Sequence, residues 1–291
     1  MKDGSSLTVF PQKIVEGNIK AAEGKVSMPF WRMVLLGIFA GMFIAGGAAA
    51  SNVAMHAVGN VGLARFIGGC IFPVGLMMIV FIGGELFTGD CMMIMGCVHK
   101  RYTPITMLRV LAIVWLTNLI GAVAVAAMAY GSGQYDYTSG LLGAYTIRVA
   151  LTKVSVSFPA AFISGIMCNI FVCAAVLMAA AAKDIAGKVW AIFFPIMAFV
   201  VSGYEHCVAN MYYVPAGIFA LGENTYKSAA IEQYGYTLNE LDKLNWGNYF
   251  LHSAIPVTLG NIVGGMVFVA IPLYIIHRKN IIKSEAGNIQ D

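Results

Sequence analysis

The chain has little charge. Only 11% of its 291 residues are Asp, Glu, Lys or Arg, whereas 59% are hydrophobic. Soluble domains carry roughly a quarter of charged residues, which they need to cover their surface. This scarcity excludes an ordinary soluble fold. Because the uncharged residues lie in long runs, and about 20 apolar residues span a bilayer core, the composition predicts an integral membrane protein.

The N-terminus lacks the apolar stretch and small-residue cleavage site of a secretory signal, so we expect no cleaved leader. The six cysteines lie within apolar segments and are interpreted as small buried hydrophobic residues rather than as disulfide partners. Cys91, Cys97 and His99 are the one conceivable metal-ligand set, and their spacing matches no common pattern. We therefore predict no metal, no cofactor and no nucleic-acid partner.

Six apolar runs are long enough to cross a membrane. They cover residues 30–59, 61–98, 105–130, 154–182, 190–221 and 250–276. Bases concentrate before the first span, around the second-to-third connection, after the fourth span and after the sixth: Lys2, Lys13, Lys20, Lys25, Arg32, His99, Lys100, Arg101, Arg109, Lys183, Lys188, Arg278, Lys279 and Lys283. The positive-inside rule therefore predicts that both termini are cytoplasmic, which agrees with an even number of spans.

The charge pattern divides the chain into three parts. Residues 1–28 combine Pro11 with alternating apolar and charged positions, which predicts a short amphipathic helix along the cytoplasmic membrane face. A disordered tail is the alternative, because so short a segment is marginal as an isolated helix. Residues 29–280 are the predicted six-span domain, and residues 281–291 a cytoplasmic tail.

The six spans fall into two halves of three that share short patterns. Asn118 in the third span and Asn261 in the sixth are each followed by two aliphatic residues and then small ones. Asn52 and Asn169 stand among small residues in the first and fourth spans, and we expect them to form hydrogen bonds across helix contacts. Because each half has three spans, the halves enter the membrane from opposite sides, so the sequence predicts an inverted repeat.

The second and fifth spans are interrupted at equivalent places, GGELFTGD at 83–90 and SGYEHCVAN at 202–210. Glycine costs about 1 kcal/mol in a helix relative to alanine, and a carboxylate at membrane depth costs a few kcal/mol unless it is partnered. A loop between two spans is the alternative for the first interruption, but too few residues follow it to cross a membrane. We predict two broken helices, whose inner N-termini favour anions.

The polar residues of the two interruptions are expected to differ in role. Structural residues, with the carboxylates accepting backbone N–H bonds, are Gly84, Glu85, Gly89, Gly203 and Glu205. His206 is intramembrane and next to a glycine, so we expect a functional rather than a merely buried histidine. Lys153 begins the fourth span with no carboxylate near it in sequence. It either snorkels to the interface or attracts anions.

These segments resemble the formate/nitrite transporter family. The resemblance rests on GELFTG at 84–89, SGYEHCVANM at 202–211, Lys153, Asn169 and PVTLGNIVGG at 256–265, and it covers nearly the whole chain. It implies an all-α, aquaporin-like membrane protein, a homopentamer with one pore per protomer. It also implies that Thr88 lines the pore, that Lys153 and Asn169 polarise the extracytoplasmic side and that His206 faces a central chamber. The hydrophobic constrictions would be Phe72, Leu76 and Phe199.

The sequence thus predicts a multi-pass protein of the inner (plasma) membrane, with membrane lipid, protons and a small monovalent anion as partners. Formate is the first candidate, and nitrite, hydrosulfide, acetate and lactate are alternatives. A bare anion pays several kcal/mol to cross a dry ring of Leu and Phe. We therefore expect His206 to donate or relay a proton, so that the anion crosses as its neutral acid.

Two other classes of protein are alternatives to a transporter of this family. Water and glycerol channels use paired Asn-Pro-Ala motifs, which this chain lacks. An intramembrane enzyme would need a nucleophile with a base, and Ser202 with His206 is the only candidate pair. No motif supports that pair, so we predict that the protein is not an enzyme.

Overall fold

The structure, a computed structural model, describes residues 8–287 and the side chains of residues 8–284. Lys2 of the charge count and the last residues of the predicted tail, 288–291, lie outside this range. The described part of the chain is almost entirely helical, with a single antiparallel bridge between Thr8 and Ala182. The protein is therefore a helical membrane protein with no strand layer in the described residues.

Six helices are long and apolar enough to cross a membrane, as the sequence predicts. They are α2 (Phe30–Met55), α3 (Val61–Ile82), α5 (Pro104–Gly131), α7 (Phe158–Ala181), α8 (Ile185–Ser202) and α11 (Trp246–Ser284). Two shorter apolar helices, α4 (Phe87–Val98) and α9 (Cys207–Leu221), follow α3 and α8. The remaining labelled helices are α1 (Pro11–Val26), α6 (Leu141–Val154) and α10 (Asn224–Tyr234).

Several helix boundaries differ from the predicted ones. The fourth span starts at Phe158, because residues 141–154 form the separate helix α6. The last span is continuous to Ser284, so its 39 residues reach well beyond the bilayer, and the predicted boundary at residue 280 falls inside it. Two widened π-helical stretches, Tyr249–Ala254 and Gly264–Ala270, interrupt its regular geometry.

The short apolar helices insert between the long ones. Helix α4 packs against α7 and α11, whereas α9 packs against α2, α5 and α6. Each short helix thus lies against long helices from the other end of the chain. Helix α1 lies across one end of this bundle, where Val15 and Ile19 join a buried cluster with Met92, Met95 and Ile281. We call this end the α1 side and the opposite end, which carries α6, the α6 side.

Candidate functional site

The chain leaves helical geometry between α3 and α4. Helix α3 ends at Gly83, whose φ of +110° is accessible mainly to glycine, and α4 starts at Phe87. Asn118 of α5 holds this segment. Its Oδ1 accepts the Phe87 N–H at 3.0 Å, while its Nδ2 donates to the carbonyls of Gly37 at 2.8 Å and Glu85 at 2.9 Å. One amide side chain therefore satisfies three backbone groups.

The chain between α8 and α9 has the same arrangement. Helix α8 ends at Gly203, with a φ of +75°, and α9 starts at Cys207. Here Asn261 of α11 accepts the Cys207 N–H at 2.9 Å and donates to the carbonyls of Gly165 at 2.8 Å and Glu205 at 3.1 Å. The hydrogen bonds of the two interruptions correspond atom for atom.

The glutamate carboxylates do not have the role expected from the sequence. In the described structure they contact lysine side chains instead of backbone N–H groups: Glu85 pairs with Lys25, and Glu205 with Lys153. The backbone is held by Asn118 and Asn261, which head the repeated pattern in the third and sixth spans. A buried carboxylate is stabilised best by a cation, and the fold brings one to each interruption.

Lys153 has a carboxylate partner, contrary to the expectation from its sequence neighbours. Its Nζ lies 2.7 Å from Glu205 Oε1, and the ammonium sits 5.8 Å from the centre of the Tyr213 ring. The other carboxylate oxygen, Glu205 Oε2, accepts from Asn210 Nδ2 at 2.8 Å. The expectation failed because the partner lies 52 residues away, and only the packing of α6 on α9 joins them.

Lys25, near the end of α1, takes the equivalent position at the first interruption. Its Nζ contacts Glu85 Oε2 and also Asp90 Oδ1, so one ammonium serves two carboxyl groups. Asp90 is buried, and within residues 8–284 its Oδ2 has no hydrogen-bond partner. At the first interruption one lysine thus contacts two acidic groups, whereas at the second one lysine contacts one.

His206 lies at the N-cap of α9 and touches the first interruption. Its Nδ1 accepts the Ala209 N–H at 3.0 Å, and its Nε2 lies 3.0 Å from Thr88 Oγ1. Because Nδ1 accepts a hydrogen bond, the network assigns the hydrogen of the neutral ring to Nε2, which then donates to Thr88. Both residues are buried. The structure thus joins the two predicted functional residues, from segments far apart in sequence.

Two aromatic rings cover the histidine. Phe199 stacks on His206 with ring centres 6.0 Å apart, and Phe72 meets Phe199 edge to face at 5.6 Å. All three rings line a cavity of about 190 Å³ on the α6 side, together with Lys153 and Asn52. The Asn52 amide is buried, and neither of its polar atoms has a partner in the described residues. The helix-to-helix hydrogen bond expected of Asn52 is therefore not formed.

A second cavity, of about 440 Å³, lies on the α1 side. Its lining includes Lys25, Leu76, Leu86 and Asp90, and it also includes both Gly84 and Gly89. The three predicted constriction residues are thus divided, with Leu76 on this cavity and Phe72 and Phe199 on the other. Leu76 is buried, with 3% of its surface exposed.

Asn169 lies apart from Lys153. It sits eleven residues into α7, about 16 Å along the helix axis from the start of that helix. Its Nδ2 donates to the carbonyls of Thr88 at 3.1 Å and Asn261 at 2.7 Å, and the residue is fully buried. The structure therefore places Asn169 behind the Thr88 backbone rather than beside the lysine.

The sequence profile of the formate/nitrite transporter family matches residues 12–275 of this chain. The chain belongs to that family. A probable formate transporter of Methanothermobacter thermautotrophicus is 38% identical over 267 residues, which cover 86% of this chain and 90% of that protein. The formate channel FocA of Haemophilus influenzae is 36% identical over 210 residues, covering 72% of this chain and 73% of FocA. The resemblance seen in the sequence is confirmed.

Solved structures of the family agree with the fold. A pentameric formate channel with formate bound superposes with a TM-score of 0.73 at 31% identity, covering 85% of this chain and 97% of that one. This formate/nitrite transporter family member accordingly has the aquaporin-like fold of those channels and is a multi-pass membrane protein.

The relatives of this family member are named as transporters and channels rather than as enzymes. The serine–histidine pair of the enzyme alternative is not formed in the structure. Both ring nitrogens of His206 are engaged, by Thr88 and by Ala209, and Ser202 lies at the exposed end of α8. Within the described residues, no group of three or more His, Cys, Asp or Glu side chains could hold a metal ion.

Proposed function

We propose that this protein is a membrane channel or transporter for small monovalent anions of weak acids, with formate as the first candidate. The observation that carries the proposal is the buried Thr88–His206 contact, which lies at the junction of the two interruptions. The α6-side cavity ends on His206, and each cavity contains a lysine. The formate transporters and channels among the relatives support the same substrate class.

The proposed architecture is an inverted repeat with two broken membrane helices, α3–α4 and α8–α9. Its support is the matched set of hydrogen bonds made by Asn118 and Asn261 and the matched lysine–glutamate pairs. From the charge pattern we propose that both termini are cytoplasmic, and we propose the inner membrane as the location of the protein. The α1 side would then be cytoplasmic, with an N-terminal part at 1–28 and a channel domain at 29–280.

The α6-side cavity supplies hydrogen-bond donors for an arriving anion. Lys153 retains N–H groups beyond the one that faces Glu205, because an ammonium has three. The unpartnered Asn52 amide offers two more. The start of α9, whose Ala209 and Asn210 line the cavity, adds the positive end of a helix dipole. Glu205 neutralises Lys153, but the guanidinium of Arg65 also lines this cavity, so we propose that hydrogen bonding and the Arg65 charge together draw the anion in.

Apolar aromatic rings next to the donors raise the free energy of an anion that loses its water. Phe72 and Phe199 line the cavity beside His206, and an ion that sheds its water against these rings pays several kcal/mol. Protonation removes this penalty. In the proposed relay the His206 ring takes up one proton and gives the Nε2 proton to an anion oxygen, which leaves a neutral ring and a neutral acid. Proton uptake at Nδ1 displaces the Ala209 N–H, and the neutral ring left behind carries its hydrogen on Nδ1. Loss of that hydrogen to water and uptake of one from water at Nε2 restore the starting ring.

The test is flux into proteoliposomes, measured in parallel for formate, nitrite, hydrosulfide, acetate and lactate over a range of pH. We expect formate flux accompanied by proton uptake. His206→Phe should abolish the proton coupling. His206→Asn should abolish it as well while keeping a side chain that caps α9.

A control substitution at another histidine distinguishes loss of the proton relay from a general loss of folding or insertion. His252 is exposed on α11, so His252→Phe should leave the flux and its pH dependence unchanged. If His206→Asn transports with the pH dependence of the wild type, the proton relay is wrong. If no anion of the panel crosses faster than through empty liposomes, the proposed function itself is wrong.

We also propose a homopentamer, because one solved relative is described as pentameric. Large apolar residues exposed on the isolated chain, such as Trp31, Ile105 and Phe268, offer faces for both lipid and subunit contact. Native mass spectrometry of the detergent-solubilised protein should show five copies.

A further inference from the structure

The first interruption holds one acidic group more than the second. Lys25 contacts both Glu85 and Asp90, and only 2% of the Asp90 surface is exposed. Where the first interruption has Asp90, five residues after its glutamate, the second has the amide of Asn210, five residues after Glu205. Asn210 donates a hydrogen bond to Glu205, which a carboxylate could not do.

Asp90 is also incompletely partnered. Its Oδ1 faces Lys25, but within residues 8–284 its buried Oδ2 has no hydrogen-bond partner, although the residue lines the α1-side cavity. An ionised oxygen needs donors or a cation when it is removed from water, so this oxygen is poorly suited to full negative charge. A protonated carboxyl, or exchange with water in the cavity, removes the mismatch.

Lys25 is the cation in contact with Glu85 and Asp90, and Lys13 lines the same cavity. The titratable groups on the elements packed around this cluster are Lys13 and Glu23 of α1, Cys91 of α4, Arg101 and Tyr102 after α4, and Cys173 of α7. Glu23 pairs with Arg101 at 3.1 Å, and the Tyr102 hydroxyl donates to the Met93 carbonyl. Lys25 itself has a raised pKa, because the attraction of Asp90 and Glu85 outweighs the opposing effect of its burial.

We propose that Glu85 and Asp90 share one proton and form a proton-exchange site on the α1-side cavity. Two carboxylates held against one ammonium repel each other when both are ionised, and one proton bound between them removes that repulsion. With one proton the cluster is neutral, as the Lys153–Glu205 pair is. Without it, the cluster carries one negative charge.

The role of this site rests on the proposed function. A neutral acid that has passed His206 reaches the α1-side cavity, where its O–H proton moves to a carboxylate of the pair. The acid thereby becomes the anion again, the cluster becomes neutral, and the proton then leaves to water on the α1 side. In the opposite direction the pair gives its proton to an anion oxygen. His206 and the Glu85–Asp90 pair would thus serve the two sides of the narrow region.

Infrared spectroscopy tests the shared proton without measuring transport. Spectra of the purified protein in H2O and D2O, at about pH 6, should show the C=O stretch of a protonated carboxylic acid with its isotope shift. Exposed carboxyl groups are ionised there, because their pKa values lie near 4. The band should disappear in Asp90→Asn and also in Glu85→Gln, since each leaves one carboxylate for one lysine. It should persist in Asp242→Asn, which changes an exposed loop carboxyl.

Transport tests the exchange role separately. Formate flux of Asp90→Asn at about pH 7 should fall on the order of ten-fold, and Asp242→Asn should match the wild type. If the wild-type protein lacks this band, or if the band persists in both Asp90→Asn and Glu85→Gln, the proposal of a shared proton is wrong. If the band behaves as expected but Asp90→Asn transports formate normally, the pair holds a proton without exchanging it with the permeant, and the proposed exchange role is wrong. If the wild type shows the band but transports no anion, the proposed function fails and the proton site stands.

Discussion

The two interruptions share a scaffold and differ in the groups that touch the permeation path. Each has a glycine with positive φ, an asparagine that binds three backbone groups, and a lysine–glutamate pair. At the N-cap of the short helix, however, the first has Leu86 and the second His206. The comparison teaches that the repeated residues hold the backbone, whereas the proposed proton transfer rests on residues that differ between the two interruptions.

The second difference concerns charge. Lys25 faces two acidic groups and Lys153 faces one, because Asp90 takes the position that Asn210 has on the other side. A symmetric pore would treat both directions alike. This asymmetry places an ionisable pair on the α1 side and a donor-rich, neutral pair on the α6 side. The following substitutions remove parts of the shared scaffold or the hydroxyl that faces His206.

Removing the lysine of one pair should have the largest effect on stability. Lys153→Gln leaves Glu205 buried without its cation, which costs about 3–5 kcal/mol. The double variant Lys153→Gln with Glu205→Gln should recover most of that loss, because no buried charge is left unpaired. Thermal unfolding of the detergent-solubilised protein measures both. Equal stability of the single and double variants would show that the pair is not coupled.

Replacing Asn118 or Asn261, the side chains that bind the backbone at each interruption, should also lower stability, but by less. Asn118→Ala and Asn261→Ala each leave one N–H and two carbonyls without their partner, at about 1–3 kcal/mol for a group that stays dry. Since the two sets of bonds match, the two variants should lower the unfolding temperature by similar amounts. Asn239→Ala, on an exposed surface, is the control. If only one of the two asparagine variants lowers the unfolding temperature strongly, the two interruptions are not equivalent.

Removing the hydroxyl that faces His206 should change transport more than stability. Thr88→Val keeps the shape of the side chain but loses one hydrogen bond, about 1 kcal/mol, so we expect a several-fold fall in formate flux. Thr88→Ser retains the hydroxyl and should transport nearly as well as the wild type. Proteoliposome flux distinguishes them. Equal flux for Val and Ser at this position would place the hydroxyl outside the path.

Much of the architecture could be predicted from local patterns. Hydropathy located six spans, and the glycines and carboxylates of 83–90 and 202–210 located both interruptions. The repeated Asn pattern of the third and sixth spans singled out Asn118 and Asn261, but it did not predict that their side chains bind the backbone of the interruptions. Helix α6 was also missed, because residues 141–154 are too short for a span and lack a strong boundary signal.

Composition and periodicity by themselves determined the membrane class, the number of spans and the positions of the interruptions, because lipid requires long apolar runs and tolerates polar residues only where they serve a purpose. Only the tertiary structure decided the partners. Lys25 meets Glu85 across 60 residues, Lys153 meets Glu205 across 52, and Thr88 meets His206 across 118. Such pairings depend on how helices cross in space, and no spacing along the chain encodes that geometry. The same crossing sets the Asp90 carboxyl against Lys25 and the Asn210 amide nitrogen against Glu205, and this difference in charge distinguishes the two interruptions.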